Sequence, residues 1–159
     1  MRMVKNSNNQ NLKKISNKLV PLGWREWVYL PFYNNFPIRA KIDTGARTSS
    51  LHATHIFKYK KEGKDRIKFR IHQSNKFLSV DTNLLKLKKI TNSFGDSETR
   101  PVIKMKIKLG NDSYITEITL SKRSRMSYPM LIGRNSLKEM HVIHSHKSFL
   151  TGPKFSSFK

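Results

Sequence analysis

The sequence predicts a mainly β fold, and three features of the chain support that class. From Pro21 onward, short runs rich in Ile, Val, Phe, Tyr and Thr are separated by Gly, Asn, Asp or Pro, as in antiparallel strands joined by turns. Residues 102–109 alternate strictly, with Met105, Ile107 and Leu109 on one face and lysines on the other. Helical periodicity is scarce. We therefore expect short strands that bury one face.

Two strands open the predicted domain. The first spans residues 24–30 and ends at Pro31, because proline cannot donate a hydrogen bond to a sheet. Asn34 and Asn35 are typical turn residues and lead the chain into a second strand at residues 36–42. These two strands should be neighbours in one sheet.

Two hairpins are predicted further along the chain. Residues 51–60 and 67–73 flank the glycine-bearing segment 61–65, which favours a turn between two strands. Residues 110–113 likewise turn the alternating strand into a partner at residues 114–120. Both hairpins are local, as expected of a meandering β domain.

The rest of the chain contributes one short helix and two polar ends. The helix is predicted at residues 135–140, just after Gly133. Residues 1–20 are basic and rich in Asn and Ser, which indicates a flexible arm, and residues 151–159 are interpreted as a C-terminal tail. The folded domain is accordingly expected at residues 21–150.

Composition limits the size of the domain and the kind of partner. At 159 residues, the chain suits one domain and is too short for two independent enzymatic lobes. Its 32 Lys and Arg against 10 Asp and Glu give a formal charge of +22, which should attract polyanions. Nucleic acid, bound nonspecifically, and acidic peptides are both candidates. Lysines spread over solvated faces would also account for part of the excess of positive charge without a binding role.

Cysteine content and hydropathy indicate the cellular setting. The chain has no cysteine, which excludes disulfides and every Cys-based zinc or iron–sulfur site. The basic N-terminus lacks the apolar core of a secretory signal, and no apolar run is long enough to span a membrane. We expect a cytoplasmic protein with no cofactor and no membrane partner.

The candidate catalytic motif is Asp43-Thr44-Gly45-Ala46, which directly follows the predicted strand 36–42. A carboxylate at the end of a buried strand can be held by a threonine hydroxyl and by backbone amides, and Gly45 lets the backbone pass close to it. The motif resembles the active-site turn of aspartic proteases. Asp-Thr-Gly also makes ordinary turns, so other segments of the sequence are needed to distinguish a catalytic turn from an ordinary one.

Two further segments extend the resemblance. Tyr128-Pro-Met-Leu-Ile-Gly-Arg-Asn135 resembles the segment that follows the last core strand of retroviral proteases and packs beneath their catalytic turn. The polar, glycine-bearing stretch 91–100 precedes the alternating strand, where a retroviral protease carries its flap. The order of turn, flap, hairpin and Gly-Arg-Asn is preserved.

A family of bacterial retropepsin-like aspartic proteases is a closer match. Four ordered segments, covering residues 23–28, 40–53, 97–103 and 130–134, resemble it, and the resemblance extends over about residues 21–150. It implies a closed β-barrel with a hairpin flap and one short helix near the C-terminal end. It also implies trimming of glutamate tails that ligases add to a ribosomal protein.

Members of this family are often labelled ATP-dependent zinc proteases, a label that these residues do not support. There is no His-Glu-x-x-His helix and no Gly-rich phosphate loop. Two histidine groups, at residues 52–55 and 141–146, lie in or beside predicted strands, where solvated or core-edge histidines are the simpler interpretation. We expect no metal site.

Catalysis by this motif requires a second carboxylate. Aspartic proteases use two carboxyl groups that share one proton, one to activate water and one to protonate the carbonyl oxygen. The chain has a single Asp-Thr-Gly, so the second Asp43 should come from a twofold-related copy. We therefore predict a homodimeric aspartic endopeptidase that cleaves acidic protein segments, and the family resemblance implies glutamate tails as one form of that substrate.

The resemblance also implies which residues form the site. The catalytic turn is Asp43, Thr44 and Gly45, and the implied substrate-binding residues come from the turn, the flap and the packing segment: Ala46, Arg47, Phe94, Gly95, Glu98, Arg100 and Arg134. The arginines could bind substrate carboxylates. Arg134 could instead hold the core or the dimer interface, and Arg47 and Arg100 are open to either role.

A noncatalytic binding function is the alternative to an enzyme. The chain could be a noncatalytic basic β module that binds RNA or ribosomes, with Asp43 as a structural relic. Lysine-rich stretches at residues 58–61, 84–89 and 122–125 could contact phosphates. No RNP-type aromatic motif is present to supply sequence-specific recognition of RNA.

Overall fold

The computed structural model describes residues 19–122 and 127–152. Its strands up to the middle of the chain are β1 Val20–Gly23, β2 Arg25–Leu30, β3 Phe36–Ile42, β4 Ser49–His52, β5 Thr54–Lys61 and β6 Lys64–Gln73. The remaining strands are β7 Lys76–Asn83, β8 Lys86–Thr91, β9 Ser97–Leu109, β10 Asp112–Ser121, β11 Met130–Ile132 and β12 His141–His144. Two single-turn 3-10 helices, Pro31–Tyr33 and Arg134–Ser136, complete the described elements.

The largest sheet closes into a barrel. Its strand order is β10-β4-β11-β3-β2-β9, and β9 also pairs with β10, which completes the ring. The closing β9–β10 ladder runs antiparallel from Asp112 opposite Leu109 to Thr119 opposite Val102. Because closure pairs both edges of the sheet, it removes the exposed edges of an open sheet. The predicted closed β-barrel is confirmed.

The alternating strand packs as its pattern predicts. Met105, Ile107 and Leu109 are buried, whereas Lys104 is exposed on the opposite face of β9. The predicted strand 36–42 is confirmed as β3, which lies antiparallel to β2. Period-two patterning is reliable here because each strand has one face toward a single core.

A second sheet of three strands, β5-β6-β7, covers part of the barrel. Ile67, Phe69, Ile71 and Val80 project from its inner face into the same buried cluster as the barrel side chains. The single strand predicted at residues 51–60 is wrong in one respect. It divides at Ala53, because β4 belongs to the barrel and β5 to the three-stranded sheet.

The predicted flap is confirmed as the hairpin formed by β8 and β9. The two strands pair from Lys86 opposite Val102 to Thr91 opposite Ser97. The side chain of Asn92 closes the turn between them, accepting hydrogen bonds from the backbone N–H groups of Phe94 and Asp96. This local capping fixes the turn without help from the rest of the barrel.

The C-terminal helix is shorter than the sequence suggested. Only Arg134–Ser136 is helical, as one 3-10 turn, and residues 137–140 lead without helix into β12. β12 pairs in parallel with β1 at the start of the domain. Pairing with β1 thus begins at His141, directly after the segment where local sequence suggested a helix.

A buried carboxylate fastens the C-terminal segment. Glu26 is fully buried, and it accepts hydrogen bonds from the backbone N–H groups of Gly23, Leu150 and Thr151 and from the Thr151 hydroxyl. These partners satisfy both carboxylate oxygens, as a buried charge requires. Contacts with the domain thus extend to Thr151, inside the segment interpreted as a tail.

Several predicted features lie wholly or partly outside the described residues. They are residues 1–18 of the N-terminal arm, 123–125 of one lysine-rich stretch and 153–159 of the tail. Across residues 19–122 and 127–152, no helix has the length and apolar character needed to cross a membrane.

Candidate active site

Asp43 follows the last residue of β3, and backbone groups hold it there. Its N–H donates to the oxygen of Ile132 across 2.8 Å, which ties the turn to β11. Its carboxylate Oδ1 accepts hydrogen bonds from the N–H groups of Gly45, at 2.9 Å, and Ala46, at 3.2 Å. A carboxylate fixed through one oxygen in this way keeps a constant orientation.

The segment after β11 packs beneath this turn. The N–H of Arg134 donates to the Ala46 oxygen at 2.9 Å, and the N–H of Asn135 donates to the Arg47 oxygen at 3.1 Å. Gly133 makes the close approach possible, since a Cβ there would lie 2.5 Å from the oxygen of Thr48. The glycine is therefore needed for space between two stretches of backbone.

A network of buried hydroxyls supports both segments. The N–H of Ser49 donates a hydrogen bond to Asn135 Oδ1 at 2.9 Å, and the Ser49 hydroxyl lies 3.0 Å from the same oxygen. The Ser49 hydroxyl also accepts a hydrogen bond from the N–H of Gly133. Ser136 Oγ lies 2.5 Å from Ser49 Oγ and 2.6 Å from Thr116 Oγ1. Buried polar groups that satisfy one another in this way hold a single arrangement.

Tyr114 extends the network toward the start of β10. Its hydroxyl donates to the Ser136 oxygen across 2.6 Å. Burial raises the pKa of Tyr114 to about 12, with a smaller contribution from the charge of Asp112. The phenol thus stays protonated and keeps donating at neutral pH.

Arg134 and Arg47 have different roles at the turn. The Arg134 guanidinium donates from Nη1 to the Thr44 oxygen at 2.9 Å, so its side chain fastens the turn itself. Arg47 is exposed, and its backbone oxygen accepts from Asn135. Of the two roles considered for Arg134, the geometry favours the structural one.

The flap residues form a second group. Phe94 is 90% exposed at the turn, and the neighbouring Gly95 has φ +86°, a conformation that favours glycine. Glu98 and Arg100 face the same side of β9 and form an ion pair with each other. The predicted site is thus divided between the Asp43 turn and the flap hairpin.

A cationic groove of about 340 Å³ runs along the base of the flap. Its lining includes Lys58 from β5, Arg100 from β9 and Lys122 after β10, together with Glu98 and Ser121. Arginine and lysine converging from three elements can bind carboxylates. β5 lies beside the flap and brings Lys58 here, which the spacing of the sequence did not show.

The family assignment rests on a match to nearly the whole folded chain. The family model described as RimB-like, retropepsin-like aspartic endopeptidase RimB, matches residues 21–154. The chain belongs to the RimB-like family. This agrees with the family resemblance identified from the four sequence segments, and with the closed barrel and hairpin flap of the structure.

Curated relatives of this RimB-like chain are named probable alpha-L-glutamate ligases. The protein from Shewanella pealeana is 36% identical over 142 residues, covering 87% of this chain and 31% of its own length. That from Desulfotalea psychrophila is 32% identical over 126 residues, covering 77% and 27%. The chain therefore spans about a third of the length of the curated relatives it matches.

A solved structure shows the same RimB-like fold. It is a Legionella pneumophila protein of unknown function, 27% identical in sequence, with a TM-score of 0.72. The match covers 84% of this chain and 98% of that one. Most of the fold of this chain is thus similar to that of the Legionella protein.

Most of the described histidines lie on strands, and His144 and His146 are in edge contact with ring centroids 6.4 Å apart. His52 lies in β4, His55 in β5 and His141 in β12, and burial lowers the pKa of His141. Within residues 19–122 and 127–152, no three His, Asp or Glu side chains are grouped closely enough to hold a metal ion.

Sequence reasoning missed part of the support beneath Asp43. Asn135 stood in the Gly-Arg-Asn segment, so its position was a signal that could have been used. Ser49, Ser136 and Thr116 gave none, because isolated hydroxyl residues in strands and turns are common. Only the folding of β4, β10 and the 3-10 turn onto one another brings these hydroxyls together.

Proposed function

We propose that this chain is a homodimeric aspartic endopeptidase in which each copy contributes Asp43. The observation that carries the proposal is the Asp43 carboxylate at the end of a barrel strand, held through Oδ1 by the amides of Gly45 and Ala46. Its occurrence in a RimB-like chain supports the assignment.

The chemistry needs two such carboxylates with one shared proton. The ionised member takes a proton from water as the oxygen attacks the peptide carbonyl, and the protonated member donates to the carbonyl oxygen. Collapse of the tetrahedral intermediate then breaks the C–N bond as the leaving nitrogen is protonated.

The positions of the other aspartates support a second copy as the source of the partner carboxylate. Asp65 and Asp81 lie in the three-stranded sheet, Asp96 lies in the flap turn, and Asp112 begins β10. None of these elements contains the catalytic turn. A twofold axis beside Asp43 would place two equivalent carboxylates together.

The proposed substrate is an acidic protein segment, with alpha-linked glutamate tails as the preferred form. The curated relatives that contain a region similar to this chain are named for glutamate ligation, the reverse of tail hydrolysis. The formal charge of +22 and the cationic groove beside the flap also favour a polyanionic peptide. A glutamate-tailed ribosomal protein has this chemistry.

The decisive experiment incubates the wild-type protein and Asp43→Asn with a peptide carrying an alpha-linked glutamate tail. Mass spectrometry then follows the release of glutamate residues. We expect cleavage by the wild-type protein alone, since asparagine preserves the Oδ1 acceptor but cannot exchange the catalytic proton. Cleavage by Asp43→Asn, or by neither protein, would refute the proposal.

A further inference from the structure

The outer face of the three-stranded sheet combines aromatic and cationic side chains. We define the aromatic–basic face as Phe57, Tyr59, Arg66, Lys68, Arg70 and Phe77. Strand register places Phe57 opposite Lys68 and Tyr59 opposite Arg66, while Phe77 lies opposite His72. The intervening residues of β6 point into the core, so this face is the solvent side of a one-sided sheet.

Two of the three aromatic rings on this face are exposed, and Tyr59 is half-buried. Phe57 is 61% exposed and Phe77 is 56% exposed, whereas Phe69 on the inner face of the same sheet is 2% exposed. Exposed apolar rings that do not contribute to a core are typical of recognition surfaces. The sheet thus has one packed face and one face with two phenylalanine rings open to solvent.

Cations lie against these rings. Phe57 and Tyr59 stack with centroids 5.9 Å apart and planes 18° apart, and Lys68 Nζ lies 5.1 Å from the Tyr59 centroid. Arg70 Cζ lies 4.8 Å from the centroid of Phe77. Rings on the two outer strands therefore flank positive charges on the central strand.

Asp81 holds part of this arrangement in place. Its carboxylate accepts from the Tyr59 hydroxyl at 2.7 Å and from Arg66 Nη2 at 2.9 Å. The charges of Arg66 and Asp81 offset each other. Lys68, 4.0 Å from Asp81, and Arg70 then give the face its positive potential.

We propose that the aromatic–basic face binds single-stranded RNA, with bases stacked on Phe57, Tyr59 and Phe77 and phosphates against Lys68 and Arg70. Aromatic side chains stack on any unpaired base, and basic side chains follow the phosphates. An acidic peptide would use the cations but not the rings. The overall charge of +22 favours encounter with such a polyanion.

The dimensions of the face suit a short stretch of nucleotides. Phe57 and Phe77 are separated by two inter-strand spacings, about 10 Å, and by four residues along β6, about 13 Å. A groove of about 440 Å³ on this sheet is lined in part by Phe57, Lys68 and Arg70. Two to three splayed bases would span this distance at roughly 5–7 Å between neighbouring rings.

This surface does not depend on Asp43. β5, β6 and β7 form a separate sheet, while Asp43 follows β3 of the barrel. RNA binding is therefore a further function, and it can be tested apart from peptide hydrolysis. Asp43→Asn should bind RNA as the wild-type protein does.

The test is fluorescence anisotropy of the full chain with a labelled single-stranded RNA of about 12 nucleotides. We expect Phe57→Ala and Phe77→Ala each to weaken binding at least about fivefold, and Phe57→Tyr to retain it because the ring remains. Lys68→Gln combined with Arg70→Gln should lower the magnitude of the salt slope by about 1.4, the contribution of two phosphate contacts.

Phe32→Ala is the matched control. Phe32 is 72% exposed on the 3-10 helix after β2 and also lies beneath a lysine, with Lys106 Nζ 5.2 Å from its centroid, but it is outside the three-stranded sheet. Circular dichroism verifies that each variant folds. Equal losses for Phe32→Ala and Phe57→Ala would overturn the proposal, as would equal affinity for duplex RNA. A glutamate peptide whose binding needs the same rings would also overturn it.

Discussion

The guanidinium of Arg134 donates a hydrogen bond from Nη1 to the backbone oxygen of Thr44 across 2.9 Å. The backbone N–H of the same arginine donates to Ala46. One residue thus fastens two points of the turn that presents Asp43. The proposed activity should therefore depend on the support of the turn as well as on the carboxylate.

Arg134→Met should weaken this support while preserving the backbone contact. We expect the free energy of unfolding to fall by about 1 kcal/mol, at the low end for charged hydrogen bonds because Arg134 is exposed. Hydrolysis of a glutamate-tailed peptide should fall at least about tenfold. Arg47→Met is the control for the unfolding measurement, since it removes the same charge nearby. A similar loss of stability in the two variants would show that charge, not the Thr44 bond, is responsible.

Gly133→Ala should destabilise the protein through a backbone clash. The added Cβ would lie 2.5 Å from the Thr48 oxygen and 3.0 Å from the Ala46 oxygen. We expect a loss of about 2–3 kcal/mol in urea unfolding. Gly63→Ala separates this clash from conformational strain, because Gly63 has φ +75° and open space around it. A smaller loss of about 1 kcal/mol is expected there.

Thr44→Val tests the proposed dimer. Thr44 is exposed in the single chain, and a hydrogen bond to the second copy would occur twice by symmetry. We expect the variant dimer to be less stable by about 2 kcal/mol, which raises the dissociation constant roughly thirtyfold, as measured by analytical ultracentrifugation. Activity should fall in parallel. Thr82→Val, in the three-stranded sheet, should leave both unchanged. A fully active monomer would contradict the dimeric site.

Tyr114 should make stability sensitive to alkaline pH. Its pKa is raised from 10.0 to about 12 on folding, so the folded state binds this proton more tightly than the unfolded state. The resulting stabilisation is complete below pH 10 and is lost as pH rises from 10 to about 12. Urea unfolding across this range should show a steeper decline for the wild-type protein than for Tyr114→Phe. Parallel curves would indicate that Tyr114 titrates normally.

Local sequence predicted much of the barrel because its strands carry their own patterns. The start of β3 follows from the turn residues before it, and the buried face of β9 follows from alternation. The flap turn follows from a polar, glycine-bearing segment between strands. The Asp-Thr-Gly motif marked the end of β3 for the same local reason. These features need only neighbours in sequence.

Other features depend on segments far apart in the chain. The parallel pairing of β1 with β12 and the burial of Glu26 against Thr151 have no local signal. A helix was expected at residues 135–140, but residues 137–140 lead without helix into β12. Local propensity cannot anticipate the pairing of β12 with β1. Tertiary contacts routinely outweigh such preferences.

The sequence by itself determined that a mainly β domain would present Asp43 at the end of a strand, since strand periodicity and turn chemistry are local properties. The tertiary structure decided what surrounds that carboxylate: the Ser49–Ser136 contact beneath it and the bond from Arg134 to Thr44. It also decided that Phe57, Lys68 and Phe77 share one solvent face. Register between strands sets these relationships, and register is fixed only when all the strands bury their apolar faces together.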